Sequence, residues 1–151
     1  MNAVEGSPPI AGVLETVLHC TSENEEATRS FYTEVLGFRS IGQSSFRAGP
    51  DVLLLFNSDK SSVQDEPPPH GASGAVHVCF VTTPDSYTEW KAYLGGRDVE
   101  LGQEISWDES GGHSFYFEDP AGNLLEIADG DLWPPSGAST YNSQSAGVAQ
   151  W

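Results

Sequence analysis

The sequence predicts an α+β protein built from two copies of one βαβββ module. Two segments offset by about 60 residues show the same order of strand, helix, strand, strand, strand. Matching residue types recur, since Gly12-Val-Leu-Glu15 aligns with Gly74-Ala-Val-His77 and Leu36-Gly37 aligns with Leu94-Gly95. A polar stretch with three consecutive prolines separates the segments, which is the composition of a linker.

These observations divide the chain into five parts. The first ten residues and the stretch after residue 133 lack periodic hydrophobicity, and the latter is rich in Ser, Gly, Ala and Gln. We predict an N-terminal tail at 1–10, modules at 11–57 and 74–133, a linker at 58–73 and a flexible C-terminal tail at 134–151.

The first module opens with a strand in 12–20, a run of branched and aliphatic residues. A helix follows, predicted by a capping-box pair, an apolar stripe and a terminal glycine: Ser22 with Glu25, then Ala27, Phe31 and Val35, then Gly37. Three short strands are predicted around 38–43, 45–48 and 52–56.

The second module repeats this order, beginning with a strand in 74–82. Its helix is predicted by a cap, a proline at the first helical position, an apolar stripe and a glycine pair: Thr83, Pro84, then Tyr87, Trp90 and Leu94, then Gly95-Gly96. Strands are predicted around 99–105, 113–118 and 124–128, with a type I turn at 119–122 between the last two.

The charge of the chain limits its partners. Six Lys and Arg residues against 22 Asp and Glu residues give a net charge of −16, which repels nucleic acid and anionic membranes. The chain has neither an apolar run long enough to span a bilayer nor a signal-peptide pattern. We therefore predict a cytoplasmic protein. The acidity fits a source with high internal salt or an acidic mesophile protein.

Two cysteines, Cys20 and Cys79, lie within apolar strand runs. They are predicted to be small core residues, which fits a reducing compartment.

Three ionisable residues interrupt apolar strands at equivalent places in the repeats. Glu15, His77 and Glu126 lie in VLETVL, AVHVCF and LLEIA. A charge in an apolar strand is costly unless it is paired or bound to a metal. Two modules around a pseudo-twofold axis would bring the three side chains into one cup. One imidazole and two carboxylates suit Mn²⁺, Fe²⁺, Ni²⁺ or Zn²⁺ better than Mg²⁺.

Simpler interpretations exist for each of the three predicted ligands. Glu15 fits a rim carboxylate at a strand start, Glu126 fits a partner of an arginine, and His77 fits a hydrogen-bonded core histidine. Leu54 occupies the fourth repeat-related position and cannot bind a metal. A three-residue site would leave coordination positions open for water or substrate, as a catalytic site requires.

His19 is the candidate catalytic residue. It shares the strand face of Glu15 and would point into the same cup, where it fits a proton acceptor, a substrate contact or a polar residue in a half-wet cavity. His70 and His113 are candidates for the pocket rim, with solvent exposure as the alternative. Cys79 is either a substrate contact or a buried, inert thiol.

The sequence resembles the vicinal oxygen chelate superfamily, which includes glyoxalases, bleomycin-resistance proteins, fosfomycin-resistance thiol transferases and extradiol dioxygenases. The resemblance covers roughly residues 12 to 133. Its carriers are Phe31-Tyr32 with Val35-Leu36-Gly37, then His77, and then Ser114-Phe-Tyr-Phe-Glu-Asp-Pro-Ala-Gly-Asn-Leu-Leu-Glu126.

The resemblance implies an open, cup-shaped mixed sheet around a divalent metal, in a homodimer. It places Glu15 where metal-binding relatives often have a histidine, with Val17 or His19 taking that place if the strand is shifted. Glyoxalase I of the metal-dependent type has a glutamate where this chain has Leu54, which counts against glyoxalase I itself.

Two functions follow as hypotheses. The first is a metal-dependent, glyoxalase-like enzyme of lyase, isomerase or transferase chemistry that chelates adjacent oxygens of a small substrate. The second is a non-catalytic, bleomycin-resistance-type protein that sequesters a drug or metabolite without a metal.

Overall fold

The structure, a computed structural model, describes residues 7–108, 110–130 and 132–133. The predicted C-terminal tail at 134–151 lies outside the described residues, as do the first six residues of the predicted N-terminal tail. The described chain forms two four-stranded mixed sheets with accompanying helices, which confirms the predicted α+β class and the duplication. No helix in these ranges is long and apolar enough to cross a membrane.

Sheet 1 belongs to the first module. Its strands are β1 (Glu15–Cys20), β2 (Arg39–Gly42), β3 (Ser45–Ala48) and β4 (Asp51–Asn57). They lie in the order β1-β4-β3-β2, with β1 parallel to β4 and the other neighbours antiparallel. Helix α1 (Glu25–Ser30) continues into a π-helical turn (Phe31–Val35), and a short helix α2 (Ser58–Ser61) follows β4.

Sheet 2 repeats this topology in the second module. Its strands are β5 (His77–Val81), β6 (Glu104–Trp107), β7 (Gly112–Glu118) and β8 (Leu124–Ala128). Their order is β5-β8-β7-β6, with β5 parallel to β8 and the other neighbours antiparallel. Helix α3 (Pro84–Gly95) connects β5 to the rest of the sheet.

The first helix differs from its prediction in two ways. It begins at Glu25 without the capping box, because the Ser22 hydroxyl instead accepts a hydrogen bond from Asn57 Nδ2 at 3.1 Å. Of its predicted stripe, Phe31 is buried and Val35 packs against the core, whereas Ala27 is exposed. The π-helical turn adds a residue to the local period, so the buried positions are these: Thr28, Phe31, Tyr32 and Leu36. Gly37, with φ of 70°, ends the segment as predicted.

Helix α3, the helix of the second module, follows its prediction closely. The Thr83 hydroxyl accepts a hydrogen bond from Ser86 N at 3.3 Å, Pro84 is the first helical residue, and Tyr87 and Leu94 are buried. The strand predicted around 99–105 is displaced to Glu104–Trp107. The preceding chain packs Val99 and Leu101 against the core instead of pairing regularly.

One hydrophobic core joins the two modules. It takes alternate residues from both sheets and the apolar sides of the helices, among them these buried ones: Leu18, Phe31, Tyr32, Phe46, Leu53, Leu94, Phe115, Phe117, Leu125 and Ile127. The other strand residues alternate onto the opposite surface of each sheet, here called the non-core face. Cys20 is buried in the core as predicted, whereas Cys79 lies on the non-core face of β5 and is exposed.

A buried polar cluster links the modules. The Tyr32 hydroxyl donates to Asp119 Oδ2 at 2.6 Å, and Asn123 Nδ2 donates both to Asp119 Oδ2 at 2.8 Å and to the His19 carbonyl at 2.9 Å. Asp119 Oδ1 also accepts from the backbone nitrogens of Ala121 and Asn123. The turn between β7 and β8 is therefore fixed both internally and to the first module.

Candidate metal centre

The strand register gives the two modules equivalent positions. Glu15 opens β1 opposite Val52 of the parallel strand β4, and His77 opens β5 opposite Leu124 of the parallel strand β8. Two residues beyond Val52 and Leu124 stand Leu54 and Glu126. Glu15 is therefore the register equivalent of His77, and Leu54 is the equivalent of Glu126.

His77 and Glu126 lie side by side on the non-core face of sheet 2. His77 Nε2 is 3.2 Å from Glu126 Oε2, and His77 Nδ1 is 2.9 Å from the Leu124 carbonyl oxygen. A carbonyl only accepts hydrogen bonds, so Nδ1 carries a proton and Nε2 is the ring nitrogen that faces the carboxylate. A proton or a cation between this nitrogen and the carboxylate oxygen accounts for their 3.2 Å separation.

His77 Nε2 and Glu126 Oε2 are placed as two ligand atoms of a divalent cation would be. Adjacent ligand atoms at bond lengths of about 2.0–2.2 Å stand roughly 3 Å apart, close to the observed separation of the two side chains. A metal-bound histidine usually donates its other N–H to a carbonyl or carboxylate, as His77 does to Leu124. Glu126 is 4% exposed, and its Oε1 has no hydrogen-bond partner among the described residues.

Tyr116 and Cys79 border this pair. Both face Glu126 across the ladder, Tyr116 from β7 and Cys79 from β5. Desolvation of the hydroxyl and thiol groups by their surroundings, together with the Glu126 carboxylate, raises the pKa of Tyr116 to about 12 and that of Cys79 to about 12, so both remain protonated at neutral pH. The Tyr116 hydroxyl is buried and has no partner in the described chain. The Tyr116 ring stacks on His77 with 5.9 Å between ring centroids.

Glu15 lies apart from this pair within one chain. It is exposed at the start of β1, on the non-core face of the other sheet. The described residues contain no group of three His, Cys, Asp or Glu side chains placed to hold a metal ion. The described residues of one chain bring His77 and Glu126 together, and the three-residue site with Glu15 stays a prediction.

His19 occupies the far end of the sheet 1 non-core face. Its Nε2 is 3.3 Å from Nδ1 of His70, whose ring packs against Phe56 with 4.7 Å between centroids. Burial and the neighbouring His70 lower the pKa of His19 below its usual range. The two histidines line a cavity of about 630 Å³ together with residues of α2 and the linker.

The comparisons with known proteins identify the family. The sequence profile of the Glyoxalase/Bleomycin resistance protein/Dioxygenase superfamily matches residues 18–127. This chain belongs to that superfamily. The crystal structure of lactoylglutathione lyase from Agrobacterium tumefaciens is similar, with 32% sequence identity and a TM-score of 0.73 over 83% of this chain and 98% of the other.

Two more distant superfamily structures share the fold. A glyoxalase/dioxygenase from Nostoc punctiforme has 20% identity and a TM-score of 0.60 over 85% of this chain and 97% of the other. A fosfomycin resistance protein from Listeria monocytogenes, complexed with Mn(II) and 1S,2S-dihydroxypropylphosphonic acid, has 20% identity and a TM-score of 0.59 over 82% of this chain and 94% of the other. A search of curated protein sequences finds no significant match.

The positions of Tyr116 and His70 become clear only from the structure. No sequence pattern gives Tyr116 a role in the site, because its position opposite Glu126 depends on the β7–β8 register. His70 is brought onto His19 by the linker, where its backbone is held by Ser61 through N–H···O=C at 3.0 Å and Oγ–H···O at 2.7 Å.

Proposed function

We propose that this superfamily member is a metal-dependent enzyme that binds two adjacent oxygens of a small substrate on a divalent cation. Glu15, His77 and Glu126 would hold the cation, of the Mn, Fe, Ni or Zn group. The observation that carries the proposal is the proximity of His77 Nε2 and Glu126 Oε2, which are 3.2 Å apart, with the carboxylate buried.

The chain's own residues have distinct tasks in this proposal. When bound, a divalent cation supplies Lewis-acid stabilisation of negative charge on a substrate oxygen. The Leu124 carbonyl fixes the His77 ring so that Nε2 faces the site. The protonated Tyr116 hydroxyl offers a hydrogen-bond donor beside Glu126, since its own pKa of about 12 keeps the proton on the oxygen.

We further propose that the site is completed in a homodimer, in which Glu15 of one copy faces His77 and Glu126 of the other. Strands β1 and β5 are the edge strands of their sheets. Apolar residues flank these edges in solvent, with Val13 86%, Leu14 83% and Val81 72% exposed. An exposed apolar edge strand favours pairing with another chain.

His19 is the proposed proton acceptor. Its lowered pKa keeps the ring neutral at pH 7, so one ring nitrogen remains available to take a proton. It lies four residues beyond Glu15 on the same strand face, about 13 Å along β1. His19 would therefore act on a part of the substrate that extends away from the metal ligands.

The reaction class follows from the relatives only as a proposal. The name of the Agrobacterium relative favours lyase chemistry. Because Leu54 cannot bind a metal, the proposed site has three protein ligands instead of four, and such a site is also compatible with isomerase and transferase chemistry. A parallel screen of methylglyoxal with glutathione, fosfomycin with thiols, and catechols with oxygen separates these reactions.

Metal analysis tests the proposal directly. Protein purified without chelator is expected to contain about one metal ion per chain, and His77→Ala and Glu126→Gln are expected to lose it. His113→Ala is the matched control, because His113 also contacts a carboxylate, Asp129 at 2.8 Å, but away from the site. Wild-type protein without metal would instead support the metal-free binding protein.

A mixing experiment tests the shared site. Glu15→Gln and Glu126→Gln chains each lack one ligand, so homodimers of either are expected to bind metal poorly. A mixed dimer would have one intact site, with Glu15 from one chain and the His77–Glu126 pair from the other. Recovery of metal binding on mixing supports the dimeric site, and no recovery, with dimers present, contradicts it.

A further inference from the structure

The few cations of this acidic chain are placed unevenly. Lys60 and Lys91 form ion pairs with Glu25 and Glu104, at 2.9 and 2.6 Å. Arg97 lies over the Tyr93 ring and donates to a backbone carbonyl. The remaining three are Arg29 on α1 and the strand residues Arg39 and Arg47.

Arg39 and Arg47 stand directly opposite each other on the antiparallel strands β2 and β3. Both are exposed, and neither has a carboxylate within ion-pair distance in the described part of the chain. Like charges directly opposite on a sheet are destabilising. In a chain with 22 acidic residues, this pair is a local concentration of positive charge that forms no ion pair among the described residues.

The arginine pair shares its face with the proposed metal ligand. Arg47 is opposite Val52 on β4, and Val52 is opposite Glu15 on β1, so the four residues form one row across the non-core face of sheet 1. At about 4.8 Å per strand, Arg47 and Arg39 lie roughly 10 and 14 Å from Glu15 at the backbone. Arginine side chains are long enough for their guanidinium groups to lie considerably closer to Glu15 than these backbone distances.

The guanidinium groups retain free donors. Arg47 Nη1 donates to the Pro50 carbonyl at 2.9 Å, which leaves most of its five N–H groups unused. Two arginines side by side are suited to the oxygens of a carboxylate, phosphate or phosphonate, which they bind through paired, charge-assisted hydrogen bonds.

We propose that Arg39 and Arg47 form a subsite for an oxyanion group of the substrate, which makes the substrate of this chain an anion. The inference rests on the proposed function, since the row places the arginines beside the proposed ligand Glu15. The substrate would bear two adjacent oxygens at one end and a carboxylate, phosphate or phosphonate at the other. The bound anion would also relieve the repulsion between the two guanidinium groups.

The first experiment tests the subsite without any metal. Metal-free wild-type protein is titrated with inorganic phosphate, and separately with acetate, at low ionic strength while the arginine side-chain NMR signals are followed. Saturable binding is expected, with Arg47→Gln and Arg39→Gln weakening it about tenfold or more. Arg29→Gln is the matched control, because it removes the same charge from α1, and it is expected to leave binding unchanged.

The second experiment tests the position of the subsite relative to the metal. Metal-loaded protein is titrated calorimetrically with catechol and with 3,4-dihydroxybenzoate, which present the same oxygen pair without and with a distant carboxylate. The carboxylated probe is expected to bind about tenfold more tightly, and Arg47→Gln to abolish that advantage while catechol affinity stays constant.

The outcomes separate the two proposals. Phosphate binding that is absent, or is equal in wild type and both arginine variants, overturns the subsite whatever the metal content. Equal affinity for the two diols also overturns it. Arginine-dependent phosphate binding in a protein that takes up no metal supports the subsite and rejects the metal-dependent function.

Discussion

The non-core faces of the two sheets have the same strand order and register but opposite chemistry. On sheet 2, Glu126 is buried beside His77, with Tyr116 and Cys79 around it. On sheet 1, the equivalent of Glu126 is a half-buried leucine, Leu54. The charged residues on this face of sheet 1 are Glu15, Arg47 and Arg39, which form one exposed row across the sheet.

The difference shows which strand positions the two modules have kept alike and which have diverged. The core requires an apolar residue at every second position of the strands that cover it, and the central strands β3, β4, β7 and β8 meet this requirement. The non-core positions are free to diverge, and the buried carboxylate on the described non-core face of sheet 2, Glu126, stands next to a histidine. Under the proposed function, sheet 2 would supply His77 and Glu126 to the site and sheet 1 would supply Glu15.

The largest expected effect concerns the turns that close the two sheets. Asp119→Ala removes a buried acceptor that serves Tyr32, Asn123 and two backbone nitrogens, so we expect a loss of about 2–4 kcal/mol in the free energy of unfolding. Asp51→Ala, at the exposed turn of sheet 1, is expected to change it by less than about 0.5 kcal/mol. Urea denaturation measures both, and equal losses would refute the asymmetry.

An exchange of residues tests the difference at the equivalent positions. Glu126→Leu gives sheet 2 the residue of sheet 1 and removes a buried carboxylate with an unpartnered oxygen. In metal-free buffer we expect the free energy of unfolding to rise by about 1–2 kcal/mol, while metal binding is lost. Leu54→Glu, the reverse change, is expected to lower it by about 1 kcal/mol. A large destabilisation by Glu126→Leu without metal would show that the carboxylate is structural.

The histidine pair of sheet 1 predicts a pH dependence. Because the folded-state pKa of His19 is lowered, the unfolded chain binds the proton more tightly. This contribution to stability is therefore complete above the unfolded pKa of about 6.5 and is lost as the pH falls toward the lower folded value.

His19→Gln removes this contribution. The difference in Tm between pH 7.5 and pH 5 is expected to be smaller in this variant than in wild type. His113→Gln, which alters an exposed histidine of sheet 2, serves as the control. An unchanged pH profile in His19→Gln would contradict the role of burial.

The smallest expected effects come from the surface ion pairs of the two modules. Lys60→Ala and Lys91→Ala each break one pair, with Glu25 and with Glu104. Exposed pairs contribute about 0.2–1 kcal/mol and weaken with salt, so we expect losses within that range that shrink in 0.5 M KCl. A larger, salt-independent loss in either variant would assign that lysine a structural role.

Local patterns in the sequence predicted most of the helices and strands. Ser45–Ala48 and Leu124–Ala128 coincide with predicted strands, and Thr83 with Pro84 marks the start of α3 as expected. The start of α1 was missed because Asn57, more than thirty residues away, takes the Ser22 hydroxyl. Such a competition between a local cap and a distant partner leaves no trace in the local pattern.

The candidate site was only partly accessible from the sequence. Ionisable residues in apolar strands singled out His77 and Glu126, which the structure brings to 3.2 Å. The prediction that Cys79 lies in the core was wrong, because it shares the strand face of His77. Strand periodicity states which residues share a face, but not whether two faces meet within one chain or between two chains. The roles of Glu15 and His19 therefore stay predictions.

The π-helical turn Phe31–Val35 has a consequence for sequence change in this region. Its closing hydrogen bond runs from Leu36 N to the Phe31 carbonyl, five residues back, and it allows Phe31, Tyr32 and Leu36 to enter the core together. Deleting one residue inside the turn would restore an α-helical period but rotate everything beyond it by about 100°. Leu36 would then leave the core, and the Tyr32 hydroxyl would lose its alignment with Asp119. We expect the length of this segment to be more strictly constrained than the identity of its exposed residues.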